Sequence, residues 1–80
     1  MITLLFFAKL REELGTASLQ FEFTGSVAEL KAQLAQRGPQ WAAALSQDNL
    51  RCAVNQAVAS EQQMIAAGDE VAFFPPVTGG

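Results

Sequence analysis

The end of the chain, residues 68–80, reads Gly-Asp-Glu-Val-Ala-Phe-Phe-Pro-Pro-Val-Thr-Gly-Gly. Apolar side chains occupy both faces of a strand drawn through residues 70–74, and such strands are typical of the inside of a sheet. Pro75 ends the strand, because proline has no N–H to donate and favours extended geometry in the residue before it. The sequence therefore predicts a buried strand that continues directly into a stiff tail without charged side chains, residues 75–80.

A second strand with two largely apolar faces is predicted at the start of the chain. Ile2, Leu4 and Phe6 occupy one face and alternate with Thr3 and Leu5 on the other. Strands that are apolar on both faces occupy central positions in a sheet. We therefore expect the first and last strands of this chain to lie side by side in the middle.

A helix is predicted between the two end strands. Ser26 and Glu29 have the spacing of a capping box at its start, and Gly38-Pro39 is expected to end it. The remaining predicted elements are a short helix at 9–14, a half-buried strand at 19–23, a helical turn at 41–45, a strand at 50–54 and its hairpin continuation at 57–59. Strands joined through one packed helix predict an α+β fold, a sheet with helices on one face.

The composition excludes several classes of function. Eighty residues make one small domain, and the net charge of −3 comes with only five scattered basic residues, so nucleic-acid or anionic-membrane binding is not expected. The single cysteine, Cys52, cannot form an internal disulfide. No apolar stretch approaches the roughly 20 residues of a membrane-spanning helix. We expect a cytoplasmic protein.

Side-chain chemistry is scarce in this sequence. With no histidine, a Ser-His-Asp or Cys-His arrangement is impossible, and no clustered spacing predicts a metal site. Cys52 alternates with Leu50 and Val54 and is interpreted as a small core residue. The only plausible reactive group is the carboxylate of Gly80, preceded by Gly79; two residues without Cβ can enter a narrow channel. The alternative is an inert, loose tail.

A carboxylate is a poor electrophile and needs activation before another group can replace its oxygen. Conversion to an acyl adenylate supplies a good leaving group, and a sulfur donor can then displace AMP to form a thiocarboxylate. The sequence contains no motif that would bind ATP. We therefore expect ATP to be used in trans, by a separate activating enzyme.

Three blocks of the sequence together resemble one known family. They are residues 68–80, the opening Leu5-Phe6-Phe7-Ala8 with Arg11-Glu12, and the central Ala53-Val54-Asn55-Gln56. In this order they are similar to the small, sulfur-carrying subunits of molybdopterin synthases, the MoaD family. The resemblance implies a β-grasp (ubiquitin-like) fold, which agrees with the predicted order of elements. It also implies a folded domain at residues 1–74 and an extended tail at residues 75–80.

The resemblance further implies the partners of this chain. An adenylyltransferase related to ubiquitin-activating enzymes would activate Gly80, and a sulfur-donor enzyme would supply the sulfur. The large subunit of molybdopterin synthase would receive the tail, in a heterotetramer with two copies of each subunit, and supply the catalytic groups. There, sulfur is added to cyclic pyranopterin monophosphate to form the dithiolene of molybdopterin. This chain would be a non-catalytic sulfur donor that binds no cofactor; the tail residues expected to enter the partner are Pro75, Pro76, Val77, Thr78 and Gly79.

A docking surface is predicted from the alternation of side chains. If the faces carrying Phe6 and Phe73 point towards the helix, then Phe7 and Phe74 point outwards. Val58, just after the Asn55-Gln56 turn, can complete a patch with them. The resemblance implies that an apolar patch at these three positions binds the partners; the alternative is that these are ordinary buried residues.

Two other functions remain open at the level of sequence. The sulfur carrier of thiamine synthesis would share the fold, the Gly-Gly end and the adenylation step, although the Phe-Phe-Pro-Pro-Val-Thr run at 73–78 favours the molybdopterin pathway. A ubiquitin-like protein modifier would instead join Gly80 to a lysine of another protein.

Overall fold

The first and last strands lie side by side at the centre of the structure, a computed structural model that describes residues 1–47 and 49–75. They pair in parallel, with Leu4 opposite Val71 and Phe6 opposite Phe73. In chain order the elements are β1 (Ile2–Phe6), α1 (Lys9–Leu14), β2 (Ser18–Phe21), β3 (Gly25–Ser26), α2 (Val27–Ala35), α3 (Pro39–Leu45), β4 (Arg51–Val54), β5 (Ala57–Val58), β6 (Met64–Ile65) and β7 (Glu70–Phe74).

The strands form one mixed sheet and a small separate ladder. The main sheet has the order β2-β1-β7-β4-β5, in which only the β1–β7 pair is parallel, and β3 pairs with β6. A parallel pair needs a crossover connection, and here the crossover contains the helices. The predicted α+β architecture is confirmed: it is the β-grasp arrangement. No helix among the described residues is long and apolar enough to cross a membrane.

The core lies between the helices and one face of the main sheet. Phe6 and Phe73 are buried there with their rings stacked at a centroid distance of 6.1 Å. The Phe6 and Trp41 rings pack edge to face with their centroids 5.6 Å apart, and the Arg37 guanidinium lies 4.7 Å from the Trp41 ring centroid. The remaining large, fully buried core side chains are Ile2, Leu4, Leu10, Val27, Leu30, Leu34 and Val71. The predicted inward faces of β1 and β7 are therefore confirmed.

The capping box at the start of α2 is confirmed as well. Ser26 Oγ accepts a hydrogen bond from the Glu29 backbone N–H at 3.1 Å, and Glu29 Oε1 accepts one from the Ser26 N–H at 2.9 Å. Hydrogen bonding from Ser26 to the Glu29 carboxyl, first from the Ser26 backbone N–H and then from its side chain, lowers the pKa of that carboxyl below its ordinary value. The cap satisfies donors that the first helical turn would leave without partners.

Two predicted boundaries are wrong, each for a physical reason. The second strand ends at Phe21, because Phe21 pairs with Ile2 and β1 offers no partner beyond it; Phe23 instead turns into the core. Pro39 does not end α2, which finishes at Ala35, but opens α3 at a position where a missing N–H costs little.

Acid should destabilise this fold through three hydrogen-bonded carboxyls, those of Glu29, Glu61 and Asp69. Hydrogen bonds lower the pKa of each, so each contributes stability above its unfolded-state pKa and loses it as the pH falls through the folded-state pKa. The urea midpoint should therefore fall as the pH drops below about 4.5. Glu29→Gln keeps a side chain that can complete the capping box but cannot titrate, so its midpoint should fall less than that of the wild type. An identical pH dependence in the two proteins would exclude a contribution from Glu29.

Candidate functional site

A depression of about 580 Å³ lies on the face of the main sheet that the helices leave open. A row of residues in register crosses it, since Leu5 pairs with Ala72, Ala72 with Ala53, and Ala53 with Val58. The two alanines occupy the middle strands, so the surface is lowest there. The complete lining is Leu5, Phe7, Ala53, Gln56, Val58, Glu70, Ala72 and Phe74. The open face therefore combines a mostly apolar hollow with larger side chains around it.

The structure brings the three predicted docking residues to this one depression. Phe7 is 47 % exposed and Val58 is 76 % exposed, while Phe74 is half-buried. The Phe7 backbone N–H donates to the Phe73 carbonyl at 3.3 Å, which holds Phe7 beside the end of β7. Large apolar side chains gathered at a surface hollow are typical of protein–protein interfaces. A role for these residues in binding a partner stays a prediction.

The chain turns sharply immediately after Phe7. Ala8 has φ 55° and ψ −130°, and the Phe7 carbonyl accepts a hydrogen bond from the Leu10 N–H at 3.2 Å. These values are close to the first central position of a type II′ turn, which glycine usually occupies. An alanine there costs roughly 1–3 kcal/mol of local strain. The sequence alone did not indicate this conformation, because Ala8 has no turn signature.

The predicted tail begins at one end of the depression. Phe74 is the last residue of β7 and lines the hollow, and Pro75 follows it without regular secondary structure. The other predicted tail residues, Pro76, Val77, Thr78, Gly79 and Gly80, lie outside the described residues. A partner that covers the depression would thus contact the chain at the point where the tail starts.

The opposite end of the depression is formed by the β4–β5 hairpin. Its turn residues, Asn55 and Gln56, both have positive φ, 51° and 71°, as a two-residue type I′ turn requires. The Asn55 amide donates to Asp69 Oδ1 at 3.1 Å and accepts from the Glu70 N–H at 3.0 Å. Sequence analysis placed the turn at Asn55-Gln56 but missed Asp69, because the two side chains are separated by 14 positions and meet only through the sheet.

Cys52 lies on the other face of β4, in the core, as predicted. It borders a separate cleft of about 580 Å³, where Lys31 Nζ forms a salt bridge with Glu61 Oε1 at 2.8 Å. Burial raises the pKa of the Cys52 thiol to about 11, against a smaller lowering effect of Lys31. The thiol is therefore protonated at neutral pH and is a weak nucleophile. Among the described residues, no group of three or more His, Cys, Asp or Glu side chains lies close enough together to hold a metal ion.

Cys52 should react slowly with alkylating agents while the protein is folded. At pH 7.5 we expect iodoacetamide to modify it at least roughly 100-fold more slowly than an unperturbed thiol, since only the thiolate reacts. Mass spectrometry of the intact protein over time, with the same protein in urea as the control, gives both rates. Equal rates in the folded and unfolded protein would contradict the burial of the thiol.

Comparison with known proteins gives consistent matches along the whole chain. The ThiS family model matches residues 4–80. The molybdopterin synthase sulfur carrier subunits of Haemophilus influenzae and Escherichia coli are each 44 % identical to this chain over 81 aligned positions, which cover 100 % of both sequences in each comparison.

Solved structures show the same fold. The small archaeal modifier protein SAMP1 from Haloferax volcanii superposes with a TM-score of 0.73 at 27 % identity, covering 99 % of this chain and 98 % of that one. A chain in the complex of subunits 1 and 2 of the molybdopterin-converting factor from Helicobacter pylori superposes with a TM-score of 0.70 at 20 % identity, covering 99 % and 97 %. At the latter identity, the likeness concerns the fold alone.

Proposed function

This chain belongs to the ThiS family, and we propose that it is the sulfur carrier subunit of a molybdopterin synthase. The observation that carries the proposal is the 44 % identity, over the full length of both sequences, to two sulfur carrier subunits of that enzyme. The geometry agrees with it, because an apolar depression on the open sheet face borders the start of the tail.

The reacting group in this proposal is the Gly80 carboxylate. A separate activating enzyme transfers AMP from ATP to a carboxylate oxygen and releases pyrophosphate. A sulfur donor then delivers sulfur at the level of hydrosulfide to the acyl carbon, the C–O bond to AMP breaks, and a thiocarboxylate remains. The thiocarboxylate sulfur attacks a carbon of cyclic pyranopterin monophosphate and displaces an oxygen from that carbon. Water then cleaves the bond between the acyl carbon and the sulfur, which leaves the sulfur on the pterin and returns the Gly80 carboxylate. ATP and the cyclic pyranopterin are bound by the partners, in the cytoplasm.

The body of the domain supplies recognition in this scheme. The described residues offer no thiolate at neutral pH, since burial raises the pKa of Cys52 to about 11. They do offer Phe7 and Val58 as exposed apolar side chains that line the depression on the open face of the sheet. We infer that the large subunit covers this depression and takes residues 75–80 into its active site. The activating enzyme, which needs the same tail, would then use an overlapping surface.

A protein-modifier role is the second candidate, because the structure of the archaeal modifier protein matches this chain over almost its whole length. The two functions leave different products on Gly80. A sulfur carrier ends in a thiocarboxylate, whereas a modifier ends in an amide bond to a lysine of another protein. A search for lysine adducts of this chain in cells distinguishes the modifier from the carrier. To distinguish the two sulfur-carrier pathways, a strain that lacks this protein is tested for a defect in thiamine synthesis or in molybdopterin synthesis.

Deleting Gly80 should abolish sulfur loading and leave the fold intact. Intact wild-type protein isolated without a C-terminal tag should contain a fraction that is about 16 Da heavier, the mass gained when sulfur replaces oxygen (simple atomic arithmetic). The Gly80-deleted chain should contain none, and its melting temperature should equal that of the wild type. Thiocarboxylate formation by the deleted chain would refute the proposed role of Gly80.

Gly79→Ala and Gly79→Val test, in the same sulfur-loading experiment, whether the tail passes through a narrow channel. Each adds bulk where we expect a narrow channel, and the branched valine is also stiffer. Loading should decrease from wild type to alanine to valine without a change in melting temperature. Full loading of Gly79→Val would show that the activating enzyme holds Gly79 in no narrow channel.

Phe74→Ala and Phe73→Ala should separate docking from folding. Phe73 is fully buried, so its truncation should cost about 3–5 kcal/mol of stability. Phe74 lines the depression, so its truncation, like that of Phe7, should cost less stability but weaken binding to the large subunit by about 1–3 kcal/mol. Calorimetric titration and thermal melts measure the two effects. Equal destabilisation by both truncations, with unchanged affinity for Phe74→Ala, would show that Phe74 serves the fold.

A further inference from the structure

The outer half of the β4–β5 hairpin, its turn and β5, is not held in place by burial, unlike β4. All four residues from Asn55 to Val58 are exposed, although Gln56 and Val58 form one wall of the depression. Strand β5 has two residues and pairs with β4 alone, and one further bond, from the Ala59 N–H to the Cys52 carbonyl at 2.9 Å, follows it. A turn and a two-residue edge strand exposed in this way open locally at a low free-energy cost.

The turn of this hairpin also contains a strained residue. Gln56 has φ 71°, a conformation that suits the glycine commonly found at the second central position of a type I′ turn. Asn55, with φ 51°, is better tolerated, because asparagine enters the left-handed region more readily than most residues. The local preferences of the chain at Gln56 therefore act against the observed turn, and other contacts must stabilise it.

Hydrogen bonds from Asn55 provide that stabilisation. Its backbone N–H donates to the Glu70 carbonyl at 2.7 Å, its side-chain carbonyl accepts from the Glu70 N–H at 3.0 Å, and its amide donates to Asp69 Oδ1 at 3.1 Å. Asp69 Oδ2 in turn accepts from the Ala66 N–H at 2.9 Å. Because Asp69 precedes β7, this set of bonds joins the Val58 wall to the strand that carries Phe74 at its other end.

We propose that Asn55 and Asp69 are positioning residues for partner docking, which hold the β4–β5 hairpin so that Val58 and Phe74 present one continuous surface to the large subunit. The inference rests on the proposed function, since it assumes that the depression is the docking surface. Neither side chain needs to touch the partner. Without the Asn55–Asp69 bond, the hairpin would sample other positions, and docking would have to select the correct one.

An exchange of the two side chains tests the proposal. Asn55→Asp alone places two carboxylates against each other, and Asp69→Asn alone removes the carboxylate that the Asn55 amide meets. In the double variant Asn55→Asp/Asp69→Asn, the amide at position 69 can donate to the carboxylate at position 55, and the bonds from the N–H groups of Glu70 and Ala66 retain oxygen acceptors. We expect each single variant to bind the large subunit roughly tenfold more weakly, and the exchange to restore most of the affinity.

Two further variants separate positioning from general stability. Asn55→Gly tolerates the positive φ and deletes only the side chain, so it keeps the test valid if Asn55→Asp fails to fold. Ile2→Val is the matched control, a core change that lowers the melting temperature without touching the depression. Molybdopterin formation is measured with thiocarboxylated carrier at a temperature well below the melting temperatures of all variants. In this assay, Asn55→Gly should raise the apparent KM for the carrier about tenfold and leave kcat unchanged. Ile2→Val should change neither.

A double-mutant cycle with Val58→Ala shows whether Asn55 acts through the wall that it holds. In the Val58→Ala background, Asn55→Gly should cause little additional loss of affinity. The inference would be overturned if the losses in the cycle were additive, or if both Asn55→Gly and Asn55→Asp bound with wild-type affinity. It would also be overturned if the exchange variant bound no better than the single variants. If the wild-type chain itself forms no complex with the large subunit, the proposed function fails instead.

Discussion

The parallel pairing of β1 with β7 is the interaction on which the rest of this structure depends. It joins the two ends of the described chain, with Leu4 beside Val71 and Phe6 beside Phe73, and all these side chains are buried. Two neighbouring parallel strands cannot be joined by a tight turn, so the intervening chain has to cross the sheet. That crossover brings Leu30 and Leu34 of α2 over the inner face and forms the core.

The same pairing determines where the depression lies and where Pro75 leaves the sheet. Because the last strand is central, the tail leaves from the most strongly held part of the sheet. Strand β7 also forms the middle of the open face, where Ala72 lies between Leu5 on β1 and Ala53 on β4. The depression and the start of the tail therefore share one rigid element. In the proposed function, docking of the domain would also position the tail for the active site of the partner.

Buried core side chains and exposed apolar side chains are divided between the two faces of the sheet. The inner face carries the large, fully buried side chains. It also carries Cys52, and burial keeps the Cys52 thiol protonated at neutral pH. The outer face carries Phe7 and Val58, and because these side chains are exposed they contribute little to the stability of the fold. Its peripheral parts depend on polar contacts, as the bonds from Asn55 to Asp69 and Glu70 show. Under the proposed function, substitutions on the outer face would therefore change binding to the large subunit without unfolding the domain.

Short-range patterns in the sequence were sufficient for the central strands, the Ser26–Glu29 capping box and the outward placement of Phe7 and Phe74, because each follows from side-chain period or from contacts within one helical turn. The scarcity of other reactive groups in the sequence led to the hypothesis that Gly80 reacts, and the family resemblance led to the hypotheses about its partners. Only the tertiary structure revealed that Val58 lies opposite Ala53 in the register that forms the depression, that Phe23 leaves its strand for the core, and that Asp69 meets Asn55. These features depend on which strand ends meet in space. Strand pairing sets that arrangement over distances that no local pattern records.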